Sequence, residues 1–270
     1  MTEPIRRAIL IAAGRGKRLG AHTEEVPKCM VGVGARPILG WVWEAFRAAG
    51  IEELVVIRGY RGDVLESFVR TLVPKVAFVD NLEWQTNNVL LSLACARAYL
   101  DRPCLLSYSD IIFTPAVARA AVDSPSEIGL VIDREFRSIY VGRTEHPLEE
   151  GEVSDLMPDG SVARVGKRAL PPADALGEYI GLTRLGARGV ATVANTLDRL
   201  AHRFAGRDHE PFQRAATYRN AYLTDLWQEL IDAGMHIDPI VIDGQWREID
   251  TGQDLDRARE LVESAPKEWS

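Results

Sequence analysis

The stretch AILIAAGRGKRLG, residues 8–20, is followed after a short gap by Pro27-Lys28, and it decides how the chain is expected to fold. Its unbroken apolar start predicts a buried strand of a parallel sheet, because such strands are covered on both faces. The strand runs into glycines interleaved with three cations, Arg15, Lys17 and Arg18. Glycines let backbone N–H groups approach an anion closely, so the stretch predicts a phosphate-cradling loop and with it a nucleotide site.

The spacing of the glycines excludes two familiar phosphate-binding motifs. The dinucleotide motif G-x-G-x-x-G requires its third glycine one position before Gly20. The P-loop G-x-x-x-x-G-K-[ST] requires a hydroxyl where Arg18 follows Lys17. A plain strand-to-helix turn is the alternative for a glycine-rich loop taken alone.

Length and composition limit the classes of protein to which the chain can belong. A chain of 270 residues with 46% hydrophobic residues predicts one α/β domain over residues 1–270 with a sizeable core. The net charge of −7 argues against a nucleic-acid-binding protein, since these usually present a basic face. Cys29, Cys95 and Cys104 show neither C-x-x-C spacing nor a histidine cluster, which predicts reduced thiols without zinc or disulfides.

The sequence contains no apolar stretch of membrane length, and the run after Arg6-Arg7 is too short for a signal peptide. We therefore expect a soluble, cytoplasmic protein with no nucleic-acid partner and no membrane partner. The residues do not fix the oligomeric state, and a homodimer is compatible with them.

A regular alternation of helices and strands follows the glycine loop. Apolar residues at helical spacing predict helices over residues 37–50 and 63–72, and short apolar runs predict strands over residues 54–57 and 76–79. This β-α-β-α-β order predicts a doubly wound, mostly parallel, Rossmann-like sheet of the α/β class. In such sheets ligands bind beyond the carboxyl ends of the strands, where the glycine loop lies.

A polar stretch, EWQTNN at residues 83–88, precedes a helix predicted over residues 89–99. Capping of the helix N-terminus explains one asparagine. The cluster of amides also offers the paired donors and acceptors that suit a nucleobase edge or a ribose. The sequence leaves both interpretations open, and Gln85 and Asn88 are the candidates for base and ribose contacts.

Two carboxylates occupy comparable positions in distant parts of the chain. Asp110 follows an apolar strand that begins near residue 104, and Asp250 lies between the apolar run 240–242 and a helix predicted over residues 254–262. A turn or a helix cap explains either residue alone. Together they predict one magnesium site, because Mg²⁺ favours one or two carboxylates supplemented by phosphate oxygens and water.

The segment 133–180 is expected to form a small antiparallel lid insertion over the ligand edge of the sheet. It contains strands predicted over residues 162–167 and from residue 177, and its mixed charges are typical of a solvated excursion. Arg143, followed by His146-Pro147, stands out, because a guanidinium fork suits the dianion of a phosphonate or phosphate.

The glycine loop resembles the signature A-A-G-x-G-x-R-L followed by P-K of nucleotidyltransferases that activate small phosphorylated compounds with NTPs. The matching residues are Ala12, Ala13, Gly14, Gly16, Arg18, Leu19, Pro27 and Lys28. The resemblance implies the nucleotidyltransferase fold, with Asp110 and Asp250 in the places of the family's two metal ligands. It also implies that Lys28 reaches the α-phosphate of the nucleotide.

A longer series of blocks narrows the resemblance to one subgroup. From residue 9 to about residue 258 the chain carries D-R-E, R-x-x-H-P, G-K, G-E-Y-I-G, A-Y-L-T-D-L and W-x-E-I-D-T. This series is similar to cytidylyltransferases that act on phosphocholine and on phosphonates such as 2-aminoethylphosphonate or 2-hydroxyethylphosphonate. One departure is Gly151-Glu152, where relatives more often carry an acid and then Ala-Glu, so the role of Glu152 is left open. Sugar-1-phosphate enzymes share the loop and the aspartates but lack the R-x-x-H-P and A-Y-L-T-D blocks.

The resemblance implies a magnesium-dependent cytidylyltransferase that transfers CMP from CTP to a small phosphonate or to phosphocholine and releases pyrophosphate. The residues it implies for catalysis are Lys28, Arg18, Asp110 and Asp250, of which the two aspartates bind the metal. The residues expected at the nucleotide are Ala12, Ala13, Gly14, Arg15, Gly16, Lys17, Gln85 and Asn88, with Arg18 and Lys17 on the β- and γ-phosphates. The residues expected at the acceptor are Arg143, His146, Lys167, Glu178, Tyr179 and Asp225.

The sequence leaves several alternatives open. Asp225 either completes the helix predicted over residues 221–234 or meets a cationic head group of the acceptor. Aromatic residues near the strand ends either pack in the core or box a quaternary ammonium, and they are Tyr108, Tyr140, Tyr179 and Trp246. For function, the alternatives are a sugar-1-phosphate nucleotidyltransferase and a nucleotide-binding regulatory module without catalysis.

Overall fold

The computed structural model describes residues 3–265 and Trp269, and within them helices cover both faces of one large sheet. The strands are β1 (Arg7–Ala12), β2 (Gly32–Val33), β3 (Arg36–Pro37), β4 (Glu53–Arg58), β5 (Val76–Asp80), β6 (Cys104–Tyr108), β7 (Ile111–Phe113), β8 (Ile128–Asp133), β9 (Glu152–Leu156), β10 (Val162–Lys167), β11 (Gly177–Leu185), β12 (Asp238–Ile242) and β13 (Trp246–Glu248). The helices are α1 (Ile38–Ala48), α2 (Gly62–Leu72), α3 (Val89–Cys95), α4 (Pro115–Asp123), α5 (Phe136–Tyr140), α6 (Ala187–Arg203), α7 (Leu223–Asp232) and α8 (Gly252–Ser264).

Strand β1 lies in the interior of the large sheet. In the described part of the chain the strand order is β10-β9-β11-β6-β1-β4-β5, with β8 beside β11 and β12 beside β8. Strand β1 is parallel to β4 and β6, and β4 is parallel to β5. Strand β11 is antiparallel to β6, β8 and β9. The predicted α/β class is therefore confirmed, with a parallel half around β1 and an antiparallel half around β11.

Alternate side chains of β1 point into two different cores. Ala8, Leu10 and Ala12 share a cluster with apolar residues of α1, α2 and α4. Ile9 and Ile11 share a second cluster with apolar residues of α3, α6 and α7. Because successive side chains of a strand point to opposite faces, a strand buried on both faces requires an unbroken apolar run. This burial fixes the end of β1, and with it the glycine loop, at the carboxyl edge of the sheet.

The ribbon of β7 and β13 brings the two predicted carboxylates together. The strands are antiparallel with Ile111 opposite Glu248, so the beginning of β7 lies beside the end of β13. Asp110 directly precedes β7, and Asp250 lies two residues beyond β13. The backbone N–H of Ile249 donates to the carbonyl oxygen of Asp110 at 2.8 Å, which holds the two turns together.

The remaining elements match the sequence in part. The segment 133–180 contains the antiparallel pair of β9 and β10, as predicted, and β9 also pairs with β11, so the insertion is continuous with the main sheet. Helix α3 ends at Cys95, and a 3-10 turn over Arg97–Tyr99 follows where the helix was expected to continue. Helix α6 has no counterpart among the predicted elements, although its buried apolar residues follow helical spacing. No helix within residues 3–265 has the length and apolar character needed to span a membrane.

Candidate active site

A cavity of about 280 Å³ opens at the carboxyl ends of β1 and β6, the edge at which a doubly wound sheet binds ligands. The glycine loop and the start of α3 contribute to its wall, as do β9, β10, β11 and the turn after β13. The residues that matter for its chemistry are Ala13, Gly14, Gly16, Arg18, Lys28, Trp84, Asn87, Asn88, Tyr108, Asp110, Glu150, Glu152, Lys167, Glu178, Tyr179, Tyr222, Trp246, Glu248 and Asp250.

Lys28 is the cation that joins the two carboxylates in this cavity. Its Nζ lies 2.9 Å from Oδ2 of Asp110 and also pairs with Oδ1 of Asp250, whose Oδ2 pairs with Arg18. Burial opposes the charge of Lys28, but the charges of Asp110 and Asp250 outweigh burial and raise the pKa of Lys28. Burial likewise opposes the charge of Asp250, yet chiefly the adjacent Lys28, together with His146 and Arg18, holds the pKa of Asp250 well below its usual range. Lys28 and Asp250 therefore both carry their charges at neutral pH.

The glycine loop passes directly over Lys28. Gly16 has a φ of 76°, and a Cβ atom there would lie 2.7 Å from Cβ of Lys28. A residue with a side chain would be strained at this φ and would also displace the lysine. Gly16 thus lets the loop turn and keeps Lys28 beneath it.

Asp110 and Asp250 suit a divalent cation. Both contact one ammonium, so a single cation can reach both carboxylates. Oδ1 of Asp110 is buried and accepts no hydrogen bond from the described residues. Carboxylate oxygens are the protein ligands that Mg²⁺ prefers, so the donor set fits the metal expected from the sequence.

Two asparagines of the stretch 81–88 line the cavity near the start of α3. Asn87 lines the cavity and is held by Asn81, whose Nδ2 donates to Asn87 Oδ1 at 2.8 Å. Asn88 lines the cavity as well, and its Oδ1 also caps α3 by accepting from the N–H of Val89 at 2.9 Å. Gln85 is exposed and lies outside the cavity wall, whereas Asn87 lines it.

The wall formed by β9, β10 and β11 is acidic and almost fully buried. Glu152 accepts hydrogen bonds from Tyr108 and Thr224 at 3.1 Å each, and burial raises the pKa of Glu152 to about 7. Glu178 accepts from the Tyr140 hydroxyl at 2.7 Å, and burial, reinforced by the charge of Glu248, raises the pKa of Glu178 to about 8. Oε2 of Glu178 is buried without a hydrogen-bond partner among the described residues.

Lys167 is the cation on this acidic wall. Its Nζ lies 3.8 Å from Oε2 of Glu150 and 4.9 Å from the centre of the Tyr222 ring. Burial opposes its charge, but Tyr222, Glu152 and further carboxylates raise the pKa of Lys167. The side chain therefore presents a positive charge to the cavity at neutral pH.

Several residues expected at the site lie elsewhere. Arg143 and His146 are buried behind the cavity wall with side chains 2% exposed, and Nε and Nη2 of Arg143 are engaged by Asp254 and Glu248. The expectation that Arg143 and His146 contact the acceptor is therefore not met. Asp225 accepts from the N–H groups of Tyr222 and Arg214 at 2.8 and 3.0 Å, which makes it part of the α7 cap.

On the nucleotide side, too, some expected contacts are missing from the cavity wall. Ala12 is buried as the last residue of β1. Arg15 lies with its guanidinium 5.4 Å from the centre of the Tyr60 ring, and Lys17 is exposed. Of the cations in the loop, Arg18 alone belongs to the described cavity wall. The remaining expected residues that line the cavity are Ala13, Gly14, Gly16, Lys28, Asn88, Asp110, Lys167, Glu178, Tyr179 and Asp250.

Glu248 lines the cavity together with Trp246 and Asp250 and was not among the residues predicted at the site. The signal was present, because Trp246, Glu248 and Asp250 alternate along one strand and its extension, and alternate residues share a face. Trp246 is fixed in turn by its Nε1–H, which donates to Oδ2 of Asp133 at 2.8 Å. Tyr140, considered for an aromatic box, lies behind Glu178, whereas Tyr108, Tyr179 and Trp246 reach the cavity wall.

Comparisons with known proteins identify the family of the chain. A family model described as the MobA-like NTP transferase domain matches residues 8–148. A CTP:phosphoglutamine cytidylyltransferase from Campylobacter jejuni is 28% identical over 255 residues, which cover 92% of this chain and 97% of that protein. A CMP-5'-(3-aminopropyl)phosphonate synthase from Streptomyces rubellomurinus is 30% identical over 159 residues, which are 57% of this chain but 24% of that longer protein.

The fold has close structural neighbours. The inositol-1-phosphate CTP transferase from T. maritima superposes with a TM-score of 0.73 at 21% sequence identity, over 97% of each chain. The resemblance to nucleotidyltransferases, and to cytidylyltransferases among them, is confirmed. With the family model covering more than half of its residues, the chain belongs to the MobA-like NTP transferase family and is a nucleotidyltransferase.

Proposed function

We propose that this nucleotidyltransferase transfers CMP from CTP to a small phosphonate or to phosphocholine and releases pyrophosphate. The observation that carries the proposal is the group of Lys28, Asp110 and Asp250 beside the glycine loop. It supplies a cation for phosphate and two carboxylates for a metal at the sheet edge where ligands bind. The cytidylyltransferase names of the two sequence relatives support CTP as the nucleotide.

The residues proposed to bind the nucleotide contact different parts of it. Gly14 and Gly16 let the triphosphate approach the backbone, and Arg18 binds the β- and γ-phosphates. Lys28 binds the α-phosphate, and Asn87 and Asn88 offer their amides to the base and the ribose. The presence of all these residues in one cavity wall supports these roles.

Asp110 and Asp250 would hold Mg²⁺ together with phosphate oxygens of the nucleotide. When bound, the metal would neutralise charge on the triphosphate and orient it. The unpartnered Oδ1 of Asp110 supports this role, because a buried carboxylate oxygen is otherwise costly to leave without a partner.

The reaction needs positioned charges more than a protein base. An oxygen of the acceptor's phosphonate or phosphate is already an anion at neutral pH. It forms a bond to the α-phosphorus of CTP, the bond from that phosphorus to the β-bridging oxygen breaks, and pyrophosphate leaves with the electron pair. Lys28 stabilises the charge that develops at the α-phosphate, and Lys167 holds the anionic end of the acceptor.

The acidic wall favours an acceptor that carries an ammonium group. Glu150, Glu152, Glu178 and Glu248 line the cavity, and Lys167 is the cation on their wall. A bound ammonium group would favour the ionised form of Glu178, whose pKa burial raises in the ligand-free protein, and would supply a partner for its buried Oε2. This charge pattern favours 2-aminoethylphosphonate and phosphocholine over 2-hydroxyethylphosphonate. The aminopropylphosphonate in the name of one relative supports the same preference.

A substrate panel tests the proposal. CTP and UTP would each be incubated with Mg²⁺ and one of phosphocholine, 2-aminoethylphosphonate, 2-hydroxyethylphosphonate, phosphoglutamine or glucose 1-phosphate, and pyrophosphate release would be measured. We expect turnover with CTP and an ammonium-bearing acceptor, with kcat/KM at least about 10-fold above that for UTP. Asp110→Asn should abolish this turnover, whereas Asp123→Asn, on an exposed helix end, should leave it unchanged.

Two outcomes would contradict the proposal. Turnover with glucose 1-phosphate and none with a phosphonate or phosphocholine would identify a sugar-1-phosphate enzyme. CTP binding in calorimetry without turnover of any acceptor would identify a regulatory module.

A further inference from the structure

Arg143 lies at the centre of a buried cluster behind the cavity, which we call the Arg143 cluster: Arg143, His146, Glu248 and Asp254. The guanidinium forms a fork on Asp254, with Nε 2.7 Å from Oδ1 and Nη2 3.0 Å from Oδ2. Nη2 also donates to Oε2 of Glu248 at 2.8 Å. Because the side chain is 2% exposed, its Nε and Nη2 donors are engaged by carboxylates, and it lies outside the cavity wall, Arg143 does not face an acceptor in the cavity.

Asp254 connects the cluster to the backbone of Asp250. Its Oδ2 accepts from the N–H groups of Asp250 and Thr251 at 3.2 and 3.0 Å. In return the N–H of Asp254 donates to the Thr251 hydroxyl at 3.2 Å, which completes a capping box at the start of α8. The fork of Arg143 on Asp254 therefore fixes the turn that carries Asp250.

His146 connects the same cluster to the carboxylate of Asp250. Its Nδ1 lies 3.3 Å from Oδ2 of Asp250 and 3.0 Å from Nη2 of Arg143. The ring is buried and packs edge-on against Tyr140, with the two ring centres 6.2 Å apart. In the tautomer with a proton on Nδ1, His146 faces the Asp250 carboxylate as a donor, so Asp250 is held by its backbone through Asp254 and by its carboxylate through His146.

We propose that Arg143 and His146 are positioning residues that hold the Asp250 carboxylate toward Lys28 and Asp110 in the geometry that binds the metal. This inference rests on the proposed function, in which Asp250 is a metal ligand. A carboxylate that must share one cation with a second carboxylate binds it well only in a narrow range of orientations. Residues that orient a metal ligand typically affect metal affinity by 10-fold or more when they are replaced.

The test measures metal binding directly. Mn²⁺ would be titrated into the protein with saturating CTP and followed by electron paramagnetic resonance, and the Mg²⁺ dependence of turnover and the acceptor KM would be measured in parallel. The variants are Arg143→Lys, which loses the planar fork, and His146→Gln and His146→Asn. An asparagine can place a polar atom near the position of Nδ1, whereas a glutamine places one near Nε2. Arg97→Lys is the matched control, because Arg97 forms a similar fork on Asp198 at the exposed surface.

We expect Arg143→Lys and His146→Gln to raise the Mn²⁺ dissociation constant and the half-saturating Mg²⁺ concentration by about 10-fold, with little change in acceptor KM. His146→Asn should restore most of the metal affinity, and Arg97→Lys should behave as the wild type. A raised acceptor KM with unchanged Mn²⁺ binding would overturn the inference and would indicate that Arg143 contacts the acceptor. An equal loss of Mn²⁺ affinity in His146→Gln and His146→Asn would also overturn the inference, because a purely structural role of His146 predicts the same loss in both variants.

A further variant separates this inference from the proposed function. If Asp250→Asn binds Mn²⁺ as the wild type does, the proposed metal site and the inference both fail. If Asp250→Asn loses Mn²⁺ while Arg143→Lys and His146→Gln keep it, the inference alone fails.

Discussion

The Nζ of Lys28 lies 2.9 Å from Oδ2 of Asp110, although 82 positions of the chain separate the two residues. The same ammonium pairs with Asp250, so the half-buried Asp110 and the buried Asp250 share one lysine as a counter-charge. In the proposed site the lysine and the carboxylates would also meet a triphosphate. The stability of the protein without ligands is thus coupled to its binding chemistry.

Replacing Lys28 by Met removes this counter-charge and keeps most of the side-chain volume. Breaking a buried ion pair by removing one partner costs about 3–5 kcal/mol, so the free energy of unfolding should fall by an amount of this order. Turnover should fall by about 100-fold, as is typical when a charge at a transferring phosphoryl group is lost. Urea unfolding and pyrophosphate release measure the two effects.

Lys75→Met is the control for Lys28→Met, because Lys75 is exposed and remote from the cavity wall. It should change neither the free energy of unfolding nor turnover. An unchanged stability in Lys28→Met would contradict the shared-cation arrangement.

Gly16→Ala tests the close approach of the glycine loop to Lys28. Alanine at a φ of 76° costs about 1 kcal/mol in strain, and its Cβ would lie 2.7 Å from Cβ of Lys28. Gly160 has a φ of 88° with open space around its Cβ position, so Gly160→Ala carries a similar strain without the clash. Gly16→Ala should therefore lose more stability than Gly160→Ala, and it should also lose about 100-fold in turnover, because misplacing a catalytic group by about 1 Å has such effects. Equal turnover in the two variants would show that Lys28 tolerates the displacement.

The sequence was informative where a local pattern fixes the geometry. The apolar run of β1 with Gly14 and Gly16 predicted both a two-faced strand and the cavity at its carboxyl end. The positions of Asp110 and Asp250 after two strands predicted that they would meet, and both contact Lys28. The signal for the strand and the loop lies within a few residues, since strand alternation and loop chemistry are local properties, whereas the meeting of the two aspartates rests on the non-local pairing of β7 with β13.

The sequence was uninformative where burial depends on distant partners. The sequence alone suggests that the guanidinium of Arg143 is free to bind a ligand, because its partners Glu248 and Asp254 lie 105 and 111 positions away along the chain. The pairing of β7 with β13 is equally non-local, and with it the face on which Glu248 lies. A charged residue in a polar segment is usually exposed, so no local rule distinguishes a saturated buried arginine from one that binds a ligand.

Glu178 makes the stability of the ligand-free protein depend on pH. Burial raises its pKa in the folded state to about 8, from an ordinary value of 4.5, so the folded protein holds a proton that the unfolded chain releases. The stabilisation is complete below the ordinary pKa and is lost as the pH rises through the folded-state value. The melting temperature should therefore decrease between about pH 5 and about pH 8, and Glu152 adds to the same slope.

Glu178→Gln cannot ionise and should flatten this slope, because glutamine can still accept the hydrogen bond of Tyr140. Thermal unfolding at several pH values measures the effect, and the variant should be more stable than the wild type at about pH 8. Glu260→Gln, at an exposed position of α8, should keep the slope of the wild type. A steeper slope in Glu178→Gln would mean that Glu178 is ionised in the folded protein.

Lys167 and Arg168 offer a matched pair for locating the acceptor's anionic end. Both cations lie within ion-pair distance of Glu150, at 3.8 and 2.8 Å, but Lys167 lines the cavity and Arg168 is 77% exposed outside the described wall. Lys167→Met should raise the KM for the acceptor by about 10-fold or more while leaving CTP binding intact, because a desolvated charge pair is lost. Arg168→Met should change neither value, since an exposed pair contributes little. Steady-state kinetics with each substrate varied in turn separates the two constants, and a change confined to CTP would place Lys167 on the nucleotide.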